Sequence, residues 1–270
     1  METFQLVSWN VRASMTDRVI EDLEHDPSVD LFALSEYRVP KRGDLIRSRL
    51  ADAGWKYSLS STIPPGKKGV ALFARYPLQP APELLNNWHP HGLDLTQWIV
   101  AAHLPSAGFY LVGTYIPYAA SPIKDAVWRA LIGVVKRHRR NPLLVIGDFN
   151  SCFPEEADSG RGRTVAPLKR MTSHAIDLWQ AAGPHLEPRD HITWAGPNGK
   201  GNRIDFAFGT PPFAKNVVSA LHRHEVRETG ISDHSQLIIK IQLGSMPPPT
   251  AAQKIGLYLT NTLSDLGMRK

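Results

Sequence analysis

Asp148 and Asn150 stand two residues apart, where the aliphatic run 143–146 passes through Gly147 and ends. Alternate residues of an extended chain point to the same side, so this spacing offers a carboxylate and a carboxamide to one spot. The habit recurs along the chain. Asn10 closes an alternating segment, 4–11, and Glu36 follows the apolar run 31–34. Tyr115 lies near the end of 109–116, Asp205 falls within 203–208, and Asp233 and His234 come just before 236–243. Singly, each has an ordinary explanation: asparagine forms turns after strands, and a lone carboxylate is usually solvated. Together they gather oxygen donors, a phenol and an imidazole at element boundaries. Carboxylates and carboxamides are ligands for hard cations such as magnesium. The chain shows no His-Cys cluster at zinc spacing, no Walker loop and no GxSxG elbow.

The elements that must position these groups alternate between strand-like and helix-like segments. Helical spacing covers 16–25 and 44–53, the latter closed by Gly54. A strand is expected over 69–74. Segments 97–104 and 109–116 flank the turn cluster Pro105-Ser106-Ala107-Gly108, which predicts a hairpin. The clearest helix follows Pro122, with Ile123, Ala126, Val127, Ala130, Leu131, Val134 and Val135 on one stripe. A further helix is expected over 168–182, then strands at 203–208 and 236–243. Hairpins mixed with helical crossovers predict an α+β fold, largely antiparallel sheets with helices packed outside.

Composition bounds the reading further. A chain of 270 residues with 42% hydrophobic and 21% charged residues builds a sizeable core, most simply as one large domain. No apolar run reaches membrane-spanning length, no secretory signal is read at the start, and the single cysteine, Cys152, suits a reducing compartment. A cytoplasmic protein is therefore expected. The net charge of +6 and pI near 9.5 favour polyanionic partners. Part of the excess, Lys136 to Arg140, ends the clearest helix, where it complements the helix dipole. After residue 243 a proline spacer, Pro247-Pro248-Pro249, precedes a potential amphipathic helix at 251–266. The expected organisation is a domain over 1–244 and an appendage over 245–270.

Read in order, Trp9-Asn10, LFALSEYR around Glu36, GVALFAR, GTYIP, GDFN, RIDF and SDH resemble the endonuclease/exonuclease/phosphatase family. That family includes exonuclease III-type apurinic endonucleases, deoxyribonuclease I, deadenylases, inositol polyphosphate 5-phosphatases and neutral sphingomyelinases. Each motif is weak alone; all of them in register over residues 4–243 are a strong signal. The resemblance implies an α/β four-layer sandwich of two mainly antiparallel sheets flanked by helices, with the site at one edge. It also implies metal-assisted phosphoester hydrolysis with Mg²⁺ or Mn²⁺. By that likeness Glu36 is the main metal ligand, with Asn10 beside it and Asp233 as ligand or outer-shell group. Asp148 orients or deprotonates the attacking water, and Asn150 holds the water or a phosphate oxygen. His234 donates to the phosphate and is oriented by Asp205, while Tyr115 stands near the phosphate and leaving group.

Substrate is read less directly. Tyr115, where the deoxyribonuclease I branch carries histidine, resembles the exonuclease III side, and Arg38 resembles a phosphate-facing basic residue of apurinic endonucleases. Lys67, Lys68, Arg161, Arg163, Lys169 and Arg170 suit backbone contacts, and Trp55, Trp88, Trp98 and Trp194 could stack on bases. His103, Cys152, His89, His91 and Arg203 are not expected to act on substrate. Departures from the apurinic branch are Arg12, Ser35, Tyr118 and Asn202. They leave the hydrolytic set intact and count against an abasic-site pocket. The expected partner is nucleic acid, DNA more than RNA. The alternatives are a phosphatase or phosphodiesterase for a small or lipid phosphoester (inositol phosphate, sphingomyelin) and a non-catalytic nucleic-acid-binding module.

Overall fold

The structure is a computed structural model that describes residues 3–13, 15–85, 92–183 and 189–244. The expected C-terminal appendage over 245–270, and with it Trp88, His89 and His91, lies outside these residues. The first half runs β1 (Thr3–Asn10), α1 (Asp17–His25), β2 (Leu31–Tyr37), α2 (Arg42–Asp52), β3 (Tyr57–Ser60) and β4 (Gly69–Ala74), then β5 (Gln79–Pro80), β6 (Ile99–Leu104) and β7 (Phe109–Tyr115). The second begins with α3 (Pro122–Arg137), β8 (Leu143–Asp148), α4 (Val165–Thr172), β9 (Ile176–Asp177) and α5 (Leu178–Ala182). It ends with β10 (Trp194–Ala195), β11 (Gly201–Asn202), β12 (Asp205–Gly209), α6 (Pro211–Ala214), β13 (Val217–Arg223), α7 (Glu225–Glu228) and β14 (Gln236–Gln242).

Two six-stranded sheets carry the fold, in the orders β13-β14-β1-β2-β4-β3 and β5-β6-β7-β8-β12-β9. Their central strands, β4, β6, β7, β8 and β12 among them, are buried on both faces, which is why they read as near-continuous apolar runs rather than clean alternation. Within β1, Phe4 and Leu6 face the second sheet and join Leu72, Leu111 and Ile146 in the middle of the sandwich. The odd residues Val7 and Trp9 face outward and meet Val19, Ile20 and Leu23 of α1 and Ile46 and Leu50 of α2. On the other side, Val127, Leu131 and Val135 of α3 pack on Val145 of β8 and Phe206 and Phe208 of β12. Each fully buried Val, Leu or Phe here contributes roughly 1.5–3 kcal/mol. Four layers result, as the resemblance implies, and the sheets are mainly antiparallel as expected.

Each sheet holds one parallel pair, β1 with β2 and β7 with β8. A parallel pair needs a crossover, and α1 and α3 supply them. The α3 crossover starts cleanly: Ser121 caps it through a 3.1 Å bond accepted from the Lys124 amide, with Pro122 in the first turn. The consequence is positional. The ends of β1, β2, β7 and β8 reach one rim of the sandwich, and the antiparallel neighbours β4, β12 and β14 start there.

One expected element breaks. The helix over 168–182 is two helices, α4 and α5, separated by β9. Asp177 is the cause: its carboxylate caps α5 at Gln180 and receives Arg203 at 2.6 and 3.1 Å, which draws the chain into a short pairing with β12. The expected hairpin, by contrast, forms as β6 and β7, turning on Gly108 at a φ of 72°.

Candidate active site

Asp148 is the last residue of β8, buried, and lies opposite Tyr115 on one side and Asp205 on the other. Gly147 makes this possible. At a φ of 146° it lets the strand end pass β7 so closely that an added Cβ would lie 1.9 Å from the Thr114 carbonyl oxygen. Three donors fix the Asp148 carboxylate. The Asn150 amide donates to Oδ1 at 2.8 Å, while Asn10 Nδ2 and Asn150 Nδ2 donate to Oδ2 at 2.9 and 3.2 Å. A carboxylate offers about four acceptor positions, so one on Oδ1 remains for an incoming group. Asn150 itself takes a left-handed φ of 45°, and its side chain also donates to the Ile116 carbonyl at 3.0 Å.

His234 and Asp205 complete the inner cluster. The two form a 2.9 Å bond through Nδ1 and Oδ2, leaving Nε2 as the ring's other donor. Thr193 Oγ1 holds the Asp205 amide at 3.1 Å, and the Trp9 indole N–H donates to the His234 carbonyl at 3.1 Å. Among the described residues, Asp148, Asp205 and His234 form a group whose ligand atoms lie within 4.8 Å of one another, a possible seat for a metal. Burial, then the charge of Asp205, pushes the Asp148 carboxyl up to about 7. Burial works against the His234 cation, but the Asp205 carboxylate outweighs it with help from Asp148 and Asp233, and the imidazole rises to about 9. His234 is thus a cation at neutral pH, braced by carboxylates.

Glu36 stands on the outer side of this cluster. The β2–β4 register shifts between Ser35 and Tyr37, so Glu36 is the bulged residue, at a φ of 58° that non-glycine residues rarely adopt. The bulge turns its half-buried carboxylate toward the rim. There Tyr115 donates its hydroxyl at 3.1 Å and Lys68 places its ammonium at 2.5 Å. Burial, and then the charges of Glu36 and Asp148, raise the Tyr115 pKa, so its proton stays on. Arg38 is near enough to oppose that rise with its own charge.

Asn10 is buried, its Oδ1 accepting from the Arg12 amide at 2.9 Å. Asp233 is half-buried, holding the Trp194 indole N–H at 3.2 Å and Arg12 at 3.9 Å. Trp194 therefore flanks the site with its N–H committed. The candidate residues come together with hydrogen bonds linking Asn10, Asp148 and Asn150, Asp205 and His234, Glu36 and Tyr115, and Asp233 and Trp194.

Of the residues that the sequence sets aside, three lie among the described residues. Arg203 is buried between Glu156 and Asp177, Cys152 is a buried thiol with its pKa raised by burial, and His103 stacks on Tyr110. One supporting residue, Lys124, escaped the sequence reading, and a second, Ser232, was read only as part of the SDH motif. Lys124 is buried and donates to the carbonyls of Asn150 at 2.8 Å and Tyr118 at 3.2 Å; burial and the charge of Arg163 bring its pKa down to about 8. Its position inside the apolar stripe of α3 was the available signal. Ser232 donates to the Asn10 carbonyl at 2.7 Å and accepts the His234 amide at 3.2 Å, tying β1 to the SDH turn.

Two sheets packed face to face, with a buried Asp–Asp–His cluster at one rim, define a four-layer α/β sandwich with a candidate site at its edge. The chain belongs to the Endonuclease/Exonuclease/phosphatase family, whose pattern matches residues 7–234. No curated protein matches it. Among solved structures it is similar to a Neisseria 3′ phosphatase, NExo, bound to product DNA hairpin, at 20% identity over 88% of this chain and 99% of that one, with a TM-score of 0.71. An AP endonuclease from Archaeoglobus fulgidus is similar at 19% identity, 89% and 100% coverage and a TM-score of 0.69. The 3′–5′ exonuclease NExo from Neisseria meningitidis is similar at 19% identity, 88% and 100% coverage and a TM-score of 0.72. At these identities the likeness concerns the fold. No helix among the described residues is long and apolar enough to cross a membrane.

Proposed function

We propose that the protein is a divalent-metal-dependent phosphodiesterase that cleaves phosphoester bonds in nucleic acid, DNA more than RNA, with Mg²⁺ or Mn²⁺ held at Glu36 and Asn10 and assisted by Asp233. The observation that carries this reading is the gathering at one rim of two hydrogen-bonded groups, Asn10–Asp148–Asn150 and Asp205–His234, with the Glu36–Tyr115 pair beside them. The donor set suits such a cation. Glu36 is a half-buried carboxylate within reach of water, and Asn10 Oδ1 keeps a lone pair beyond the one used by Arg12. The inner group is the less apt seat, because hydrogen bonds already occupy most of the Asp148 acceptor positions and Asp205 Oδ2. When bound, the cation neutralises phosphate charge and polarises the phosphoryl oxygen.

The chain's own residues supply the rest. Asp148 receives the attacking water at its remaining acceptor position and orients it or takes its proton; a carboxyl pushed up to about 7 suits either task near neutrality. Asn150 holds Asp148 and the water in line. His234, cationic and fixed by Asp205, donates from Nε2 to a phosphoryl oxygen, where charge develops. Tyr115 keeps its proton, and turning its hydroxyl from Glu36 would aim that proton at the leaving oxygen. The net charge of +6 and the nucleic-acid enzymes among the structural neighbours favour a polymer substrate.

The test assays purified protein with Mg²⁺ or Mn²⁺ on single-stranded, duplex and abasic-site DNA, on RNA, on inositol phosphates and on sphingomyelin. Cleavage of DNA is expected, with loss of about two to four orders of magnitude in Asp148→Asn, the range typical for removing an acid–base group. Uncut nucleic acid alongside turnover of a small phosphoester would overturn the substrate. Activity that survives Asp148→Asn would overturn the site.

A further inference from the structure

Glu36 carries a cation of the chain's own, the Lys68 ammonium 2.5 Å from Oε2. We propose that Lys68 is a substrate-positioning residue: it caps Glu36 in the metal-free protein and moves to the phosphoryl group once a divalent cation takes the carboxylate. This rests on the metal reading above.

The main chain at Lys68 is fixed independently of its side chain. Gln97 Nε2 donates to the Lys68 carbonyl at 2.9 Å. The next residue, Gly69, pairs with Tyr37 and packs so tightly that an added Cβ would sit 2.4 Å from Ser61 Oγ. The strand therefore does not need the ion pair for its register. The Lys68 side chain is about one-third exposed, and partly exposed pairs contribute little to folding, so stability alone does not account for it. The bulge at Glu36 turns that carboxylate toward Lys68, directly across from the start of β4.

Charge argues for exchange rather than permanent pairing. Glu36, Asp148, Asp205 and Asp233 crowd the rim, and a phosphoester adds further negative charge. A cation arriving at Glu36 repels the ammonium and frees it at the mouth of the site. Lysine is suited to the move: its charge sits on a flexible four-carbon stem with three donors, and it meets phosphate as a point charge. Arg12 holds Asp233 in a similar way, but at 3.9 Å and more exposed, a looser hold.

Calorimetric titration of the full chain tests this. Mn²⁺ is added without substrate to wild type, Lys68→Met, Lys68→Gln and Glu36→Gln, each checked for a wild-type melting temperature. Thymidine 5′-monophosphate is then added to the Mn²⁺-saturated proteins. Both Lys68 variants should bind Mn²⁺ about two- to fivefold tighter, the equivalent of one partly exposed ion pair, and the nucleotide more weakly than wild type. Unchanged or weaker Mn²⁺ binding, or undiminished nucleotide binding, overturns the proposal. Glu36→Gln separates the two levels: Mn²⁺ affinity unaffected by that change overturns the metal reading, and the Lys68 proposal with it.

Discussion

At the scale of single residues, the site is held before any ligand arrives. Asp148 meets three donors, Asn150 is bent to a left-handed φ to serve two of them, and His234 is clamped at both ends, by Asp205 on its ring and Trp9 on its carbonyl. Such order costs strain, of the order of 1–3 kcal/mol for each unusual backbone angle, which the surrounding bonds must offset. The Asp205–His234 bond is the most exacting piece, because burial alone would strip the imidazole of its proton. In Asp205→Asn the ring loses the carboxylate that orients and charges it, so kcat should fall by about two to four orders of magnitude while KM changes little. Steady-state kinetics on whichever substrate the wild type cleaves decides this. Near-normal kcat in Asp205→Asn would remove His234 from the chemistry.

At the scale of elements, the decisive device is the close pass of β7 and β8, which brings Tyr115 beside Asp148. Gly147 alone permits it. Gly147→Ala places a Cβ against the Thr114 carbonyl at an unfavourable φ, and the combined overpacking and strain should destabilise the fold by roughly 2–4 kcal/mol. The urea midpoint measures this; a change under about 0.5 kcal/mol, the range of an inconsequential surface substitution, would mean that the strands separate easily. The ends of β1, β2, β7 and β8 were legible in sequence because polar groups abruptly succeed apolar runs there. Other elements were not. The residues of β13 alternate poorly because a register shift lies between Val217 and Ser219. The break between α4 and α5 depends on Asp177 meeting Arg203, 26 residues further on, and no local spacing announces that. The Glu36 bulge was hidden too, since it exists only against β4. Periodicity implied sheets with outside helices; the four layers needed the family likeness, because the parallel pairs that close them are long-range choices.

At the scale of the whole molecule, the two sheets must stay in register for the rim to exist, and part of that join is sensitive to acid. His222 of β13 stacks on Trp179 of α5, with ring centroids 4.8 Å apart and planes 16° from parallel. Its Nδ1 lies 2.7 Å from the Asp190 carbonyl oxygen, whereas Nε2 is sealed from solvent with no partner. Burial therefore pushes the imidazole down to about 3, with the charge of Arg203 and neighbouring His224 and His191 adding to the fall. The sign follows from proton counting. Between the ordinary value of 6.5 and about 3, the unfolded chain binds a proton at this histidine that the folded protein refuses, so stability drops as pH falls. The contribution is present above 6.5 and is lost progressively below it, at most about 1.4 kcal/mol per pH unit. His222→Phe keeps an aromatic face against Trp179 and removes the proton. Between pH 7.5 and 5.0 the wild type should then lose about 1–2 kcal/mol more than the variant, read from urea unfolding at the two pH values. Parallel losses in both proteins would place the acid sensitivity elsewhere, with His224 and His191 next to be replaced.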